Sequence, residues 1–388
     1  MIYIFDTTGN CRIDRGRTDG VAKSVAALRQ SCARLTLGLT LVAVAFIALV
    51  TASFAHAAGL PANVVQSLSP PADTITQYIA QAMIDLKSPD PAKQQAGRDA
   101  LINFVAPAPN PPQPSPTFMS VYSQTLNAQL ASIANAPDLR TRLNAAIAVA
   151  KVSEKNDNEK LVPTITALLN DKSEAVAIWG MKAAKFVIPR GAEGAKLITQ
   201  VVAAAQRFPS STTIAYQALI SGPGPSAPVI DAIHLLMKAR IDLYNTEIPP
   251  DPLAEFPAML QLVDTKWWNA QNAAQQQKTI QLLTHLASVA GQRVVLNDTA
   301  ENRDAMSSMI KKISGSIGAI AINTNKPALE NKMNELTKGL GKTMTAQQIA
   351  AVGAGMVTAI RAEYSTVGPP PTLAATNPAP ATTKAGAP

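Results

Sequence analysis

The residues best able to do chemistry in this 388-residue chain are few. Trp267 and Trp268 stand side by side, and the amide-rich run Asn272–Lys278 follows them. Indole faces stack on sugars and anchor protein interfaces, and neighbouring amides add hydrogen bonds. Adjacent helical side chains point about 100° apart, so at most one of the pair is expected fully in a core. The bland reading leaves its neighbour at an interhelical edge. The sharper reading exposes one indole as a binding anchor for a glycan or a partner protein.

The histidines offer less. His234 and His285 lie far apart in helical stretches, and neither has a nucleophile and an acid beside it in sequence, as a hydrolytic triad requires. His285, in "LLTHLAS", borders an apolar stripe and reads as a packed or surface histidine. There is no His-Glu-x-x-His pattern, no calcium-loop spacing and no Gly-x-Ser-x-Gly elbow. Acidic residues are dispersed rather than paired. "GLGKT" (Gly339–Thr343) ends like a phosphate loop, but Leu336 holds the position of its first glycine and a helical pattern precedes it. A helix C-cap is the better reading. No catalytic residue, cofactor or metal site is therefore expected.

The elements that carry these residues are helical. Aromatics make up 4% of the chain and hydrophobic residues 47%, so the core must be aliphatic. No run alternates as a strand would. From Asp138 to Ile188 the apolar residues recur at three- and four-residue steps: Leu143, Ile147 and Ala150, then Leu161, Ile165 and Leu168, then Val176, Ala183 and Val187. Pro163 falls in a first turn, Ser173 is a candidate N-cap, and Pro189 stops the third helix. Ala145, Ala146, Gly180, Ala183 and Ala184 would let helices approach closely.

"LVPTITALLNDKSEAVAIWGMKAAKFVI" resembles a HEAT-type repeat, through Pro163, the Leu168–Asp171 end, Val176 and Ala183-Ala184. Two further second-helix candidates are Ala92–Val105 and Leu139–Val152. Aligning Ala100, Ala145 and Ala183 gives steps of 45 and 38 residues, around the roughly 40–47 of such repeats. Ala177 departs from the family, which often has an arginine there. The resemblance implies an α-solenoid in the N-terminal half and a binding scaffold.

Residues 1–34 carry Arg12, Arg15, Arg17, Lys23, Arg29 and Arg34 against three aspartates, and an uncharged run follows. With Ala55-His56-Ala57 behind it, this reads as a signal peptide over 1–57, cut after Ala57. The rival reading is an uncleaved anchor, since Leu35 to Phe54 is long enough to span a bilayer. The long leader is also consistent with translation starting nearer Val21. Either way the remainder is expected outside the cytoplasm, periplasmic or secreted. Cys11 and Cys32 both precede the run, so the mature chain would have no disulfide. Without the leader's charges, 28 basic and 23 acidic residues remain. They are intermixed, an ordinary solvated surface that argues against nucleic acid.

A helical pair over 58–105 comes next, with Asp73 or Thr74 as candidate cap. Residues 106–117 carry proline at nearly every other position and read as an extended linker. The HEAT-like helices occupy 118–222, and "SGPGPSAP" (Ser221–Pro228) is the strongest internal break. Residues 228–366 form an irregular helical region in which Gly315 and Gly318 suggest close backbone packing. The last stretch, 367–388, is Pro, Ala and Thr with a single charge and is expected to be disordered. The expectation is an all-α, exported, non-catalytic scaffold that binds envelope proteins. The alternative is a cell-wall or polysaccharide-binding module using Trp267 or Trp268.

Overall fold

A computed structural model describes residues 59–373, except 107–109, 134, 157, 223, 250 and 342. The leader with its cleavage site, and the tail beyond Leu373, lie outside the described residues. The described chain is all-α, and its one β feature is an isolated parallel bridge between Leu60 and Val105.

The first helices show how local sequence sets each element. In α1 (Ala72–Leu86), Ile75, Ile79, Met83 and Leu86 recur at helical spacing and are all buried. The helix begins at Ala72, one residue before the expected Asp73 cap, and Asp73 falls in its first turn. Asp90 caps α2 (Pro91–Ile102) by accepting from the Ala92 amide, with Pro91 at the first position, where no N–H is needed. Ser115 and Pro116 open α3 (Pro116–Leu130) in the same way. Asp138 caps α4 (Leu139–Glu154). The helices α5 (Val162–Leu169), α6 (Glu174–Val187), α7 (Leu197–Arg207) and α8 (Thr212–Ile220) follow. Ser173 does precede α6, but its side chain does not cap it; the Ser173 amide instead donates to Asp171 at 2.7 Å.

From Ala227 on come α9 (Ala227–Leu243), with Pro228 in its first turn, α10 (Phe256–Val263), the short α11 (Thr265–Ala270) and the 24-residue α12 (Ala273–Leu296). The last three are α13 (Ala300–Asn323), α14 (Pro327–Thr337) and α15 (Ala346–Glu363). Capping boxes at Asn272–Gln275 and Thr345–Gln348 fix the starts of α12 and α15.

Packing follows a simple order. α1 touches α3, α3 touches α5, α5 touches α7, α7 touches α9, α9 touches α12, and α12 touches α15. The alternate helices do likewise: α2 with α4, α4 with α6, α6 with α8, α8 with α10, and α10 with α13. One core therefore runs from Leu60 to Leu373 and crosses both proline-rich breaks. Across residues 106–117, Phe104 packs on Phe118 and Tyr122 with ring centroids 5.4 and 4.7 Å apart. The Ser115 amide also donates to the Val65 carbonyl at 3.0 Å. That stretch joins parts of one core rather than spacing two bodies.

Close backbone approach occurs elsewhere than at Gly315 and Gly318. A Cβ on Gly315 would meet nothing within 4 Å, and one on Gly318 would meet only the Glu330 side chain at 3.9 Å. Helices approach closely between α1 and α2, where a Cβ on Gly97 would fall 2.6 Å from the Ala82 carbonyl, and between α12 and α15, where one on Gly353 would fall 2.9 Å from the Ala287 carbonyl.

Candidate functional site

The structure places both Trp267 and Trp268 in the core, each only 3% exposed, so neither presents a stacking face. The expectation that one of them must reach an edge assumed a helix with a single buried side. Helix α11 has only six residues, capped by Asp264, and neighbours tie it down all around. Asn323 of α13 donates to the Val263 carbonyl at 3.0 Å, Gln271 to the Leu262 carbonyl at 2.7 Å, and Gln276 to the Trp268 carbonyl at 3.0 Å. Two side chains splayed by about 100° both find protein there. The amides of Asn272–Lys278 are likewise committed internally: Gln275 closes a capping box and reaches Asp231 at 2.9 Å.

An edge of Trp268 nevertheless lines a surface cleft of about 260 Å³, with Gln276, Ile280, Thr324, Tyr364 and Val367. Tyr364 is fixed by a 2.8 Å hydrogen bond to Thr324, and the Lys326 ammonium sits 4.4 Å from its ring centroid. From Tyr364 the chain leaves α15 through a turn, in which the Val367 amide donates to the Tyr364 carbonyl at 3.0 Å, and then runs along α12 as a strap without regular secondary structure. Gln277 donates to the Thr366 carbonyl at 3.2 Å. His285 Nε2 lies 3.5 Å from the Gly368 carbonyl. Gln292 donates to the Pro371 carbonyl at 2.9 Å and accepts from the Leu373 amide at 2.9 Å. Val367 and Leu373 are buried.

This arrangement departs from the sequence reading in two ways. Residues 367–373, expected to be disordered, are ordered against a helix; 374–388 lie outside the described residues. The face along the strap carries Gln277, Gln281, His285, Ser288 and Gln292; the sequence reading has Gln277 only within the amide run and His285 only as a packed or surface histidine, and does not join them into one face. Their signal was present as steps of four, four, three and four residues, which put a polar ridge on one helical face.

Two buried polar clusters lie deeper. His234 Nε2 bonds Thr279 at 2.8 Å, and Thr279 in turn donates to Gln271 at 2.7 Å, which holds the Leu262 carbonyl. Burial lowers the His234 pKa to about 4. Nearby, Arg240 of α9 pairs with Glu255 and with the Asp251 carbonyl, and Asp251 accepts from Thr213 of α8 at 2.7 Å. This pins α8, α9 and the approach to α10. Burial raises the Glu255 pKa against the pull of Arg240, and it raises those of Tyr216 and Tyr244. Arg240 also lines a small cavity of about 70 Å³.

A third feature runs along the turns between early helices. Gln94, at the fourth position of α2, donates to Asp138, the cap of α4, at 3.1 Å. Arg142, at the fourth position of α4, donates to Asp171, just ahead of α6, at 2.7 Å, and both are buried. Arg207 of α7 closes the series on the Leu169 and Asp171 carbonyls at 2.6 and 3.0 Å. Beside this ladder open two polar clefts of about 320 and 400 Å³, the first lined by Lys87, Asp138 and Arg140, the second by Asn135, Asn170 and Lys172.

Among the described residues, no group of three or more His, Cys, Asp or Glu could hold a metal ion, and no helix is long and apolar enough to cross a membrane. Of the "GLGKT" segment, Gly339 lies in the turn after α14 and Leu340 is buried. No protein-family model matches the sequence, and no curated protein matches it.

Proposed function

We propose that this chain is an exported, non-catalytic scaffold that binds other proteins of the cell envelope, and that its helices form a HEAT-like α-solenoid. The observation that carries the reading is the ladder Gln94–Asp138 and Arg142–Asp171. At the same helical position, α2 and α4 each reach past one helix into the turn ahead of the next alternate helix, α4 and α6 respectively. Serial contacts of this kind line up the turns and leave an extended surface, which is what stacked helix pairs use for binding. The two polar clefts beside the ladder give that surface its relief. The basic leader with its apolar run and Ala55-His56-Ala57 supports export.

The test is a pull-down from envelope extract with Ala58–Pro388 as bait, followed by mass spectrometry. A copy carrying Arg140→Glu and Lys172→Glu, both exposed beside the clefts, runs alongside. A reproducible partner that the copy loses supports the reading and maps its face. Retention on insoluble wall glycan, with no protein partner, overturns it in favour of a polysaccharide-binding module.

A further inference from the structure

Residues 366–373, Thr-Val-Gly-Pro-Pro-Pro-Thr-Leu, lie on α12 the way a ligand lies on a receptor. Proline has no N–H, so an extended proline-rich segment offers a partner mainly its carbonyls. The ridge supplies the matching donors: Gln277 to Thr366, His285 to Gly368 and Gln292 to Pro371. Gln292 also accepts from the Leu373 amide, so its side chain clasps the strap from both sides of Thr372, as a neighbouring strand would. Each of these bonds goes to strap backbone. The ridge thus reads an extended conformation rather than a set of side chains.

Side-chain burial has the period of that conformation. Val367 and Leu373 are buried, Gly368, Pro370 and Pro371 are half-buried, and Thr366, Pro369 and Thr372, three residues apart, are exposed. A polyproline II helix has three residues per turn, so past the turn that ends at Val367 a strap of that kind would put Pro370 and Leu373 on one face. At the head of the ridge, the Trp268–Tyr364 cleft adds an aromatic lining beside Val367. Aromatic-lined grooves with a few donors are how proline-rich segments are bound in trans.

We propose that the Gln277–Gln292 ridge and the adjoining cleft are a docking surface for an extended, proline-rich segment of a partner protein, with residues 366–373 as a built-in competitor. This deepens the scaffold reading and rests on it. The strap joins no helix and no sheet ladder, so it belongs to the least stable parts of the fold and opens locally. Its tether to α15 gives it an effective concentration on the order of millimolar. A free peptide therefore binds weakly until the strap is released.

The experiment uses the full chain. A fluorescent synthetic peptide with the sequence of residues 364–373 is titrated by anisotropy into wild type and into a Val367→Asp/Leu373→Asp variant, whose anchors no longer seat. The expected result is at least tenfold tighter binding to the variant, about tenfold weakened again by adding Gln292→Ala. A peptide with three glycines in place of its prolines should bind at least tenfold more weakly. No binding to a variant with wild-type circular dichroism, or equal binding of the glycine peptide, overturns the proposal. Should the variant fail to fold, hydrogen exchange on wild type decides. Excess peptide must speed exchange at Val367, Gly368 and Leu373, and an unchanged rate overturns the proposal. A protein partner retained in the pull-down while the peptide fails would leave the scaffold reading standing and sink only this one.

Discussion

His234 is the donor and Thr279 the acceptor in their 2.8 Å hydrogen bond, because the Thr279 hydroxyl proton is already given to Gln271. The imidazole is therefore held neutral with its proton on Nε2, inside a core that disfavours the charged form. Burial lowers its pKa from 6.5 to about 4. Between those values the unfolded chain takes up a proton that the folded chain refuses. The contribution is thus fully present above pH 6.5 and is lost as pH falls towards 4, at a cost of about 3 kcal/mol. Urea unfolding of wild type and His234→Gln at pH 7.5 and 4.5 checks this. The glutamine keeps a donor for Thr279 but does not titrate, so its loss of stability on acidification should be smaller by about that amount. Parallel losses in the two proteins would contradict the assignment.

The buried Arg240–Glu255 pair predicts a strong asymmetry between breaking and replacing it. Glu255→Ala leaves an uncompensated cation at a site where both side chains are at most 2% exposed. A loss of about 3–5 kcal/mol is expected. Arg240→Met with Glu255→Leu removes both charges and should recover most of that loss. Equilibrium denaturation of the single and double variants measures the difference. A double variant as unstable as the single one would show that the ion pair is not the reason.

Two glycines give opposite expectations for the same change. Gly353→Ala forces a Cβ to within 2.9 Å of the Ala287 carbonyl on α12. Backbone cannot retreat as a side-chain tip can, so this should cost about 1–3 kcal/mol. Gly315→Ala adds its methyl to open space on an exposed helix surface. There it should stabilise by about 1 kcal/mol, the difference in helix propensity. Thermal melts that moved both variants in one direction would refute the packing described for α12 and α15.

Trp267 and Trp268, both buried, should behave as core residues. Either one replaced by alanine should cost about 3–5 kcal/mol, read as a lower denaturation midpoint. A surface anchor would instead leave the midpoint unchanged and abolish retention on wall glycan. Running both assays on Trp268→Ala separates the two roles.

Much of this fold is written locally. The apolar spacing of α1, the Asp90-Pro91 and Ser115-Pro116 starts and the two capping boxes each act within four or five residues, so the sequence alone determines that the chain is helical and where many helices begin. The same range accounts for what was misread. That Trp267 and Trp268 could both be buried depended on Val263, Leu262 and Asn323 closing around a six-residue helix, contacts up to 60 residues apart. Which glycines are crowded depended on which helices meet: α1 on α2 caught Gly97, α12 on α15 caught Gly353, and Gly315 was spared. Composition marked residues 367–373 as unable to fold, and by themselves they cannot. They are ordered because Gln277, His285 and Gln292, some 80 residues earlier, present donors to a backbone that has few hydrogen-bond partners of its own. Periodicity and caps are properties of a segment; burial, close approach and docking are properties of a pair of segments, and only the tertiary structure chooses the pair.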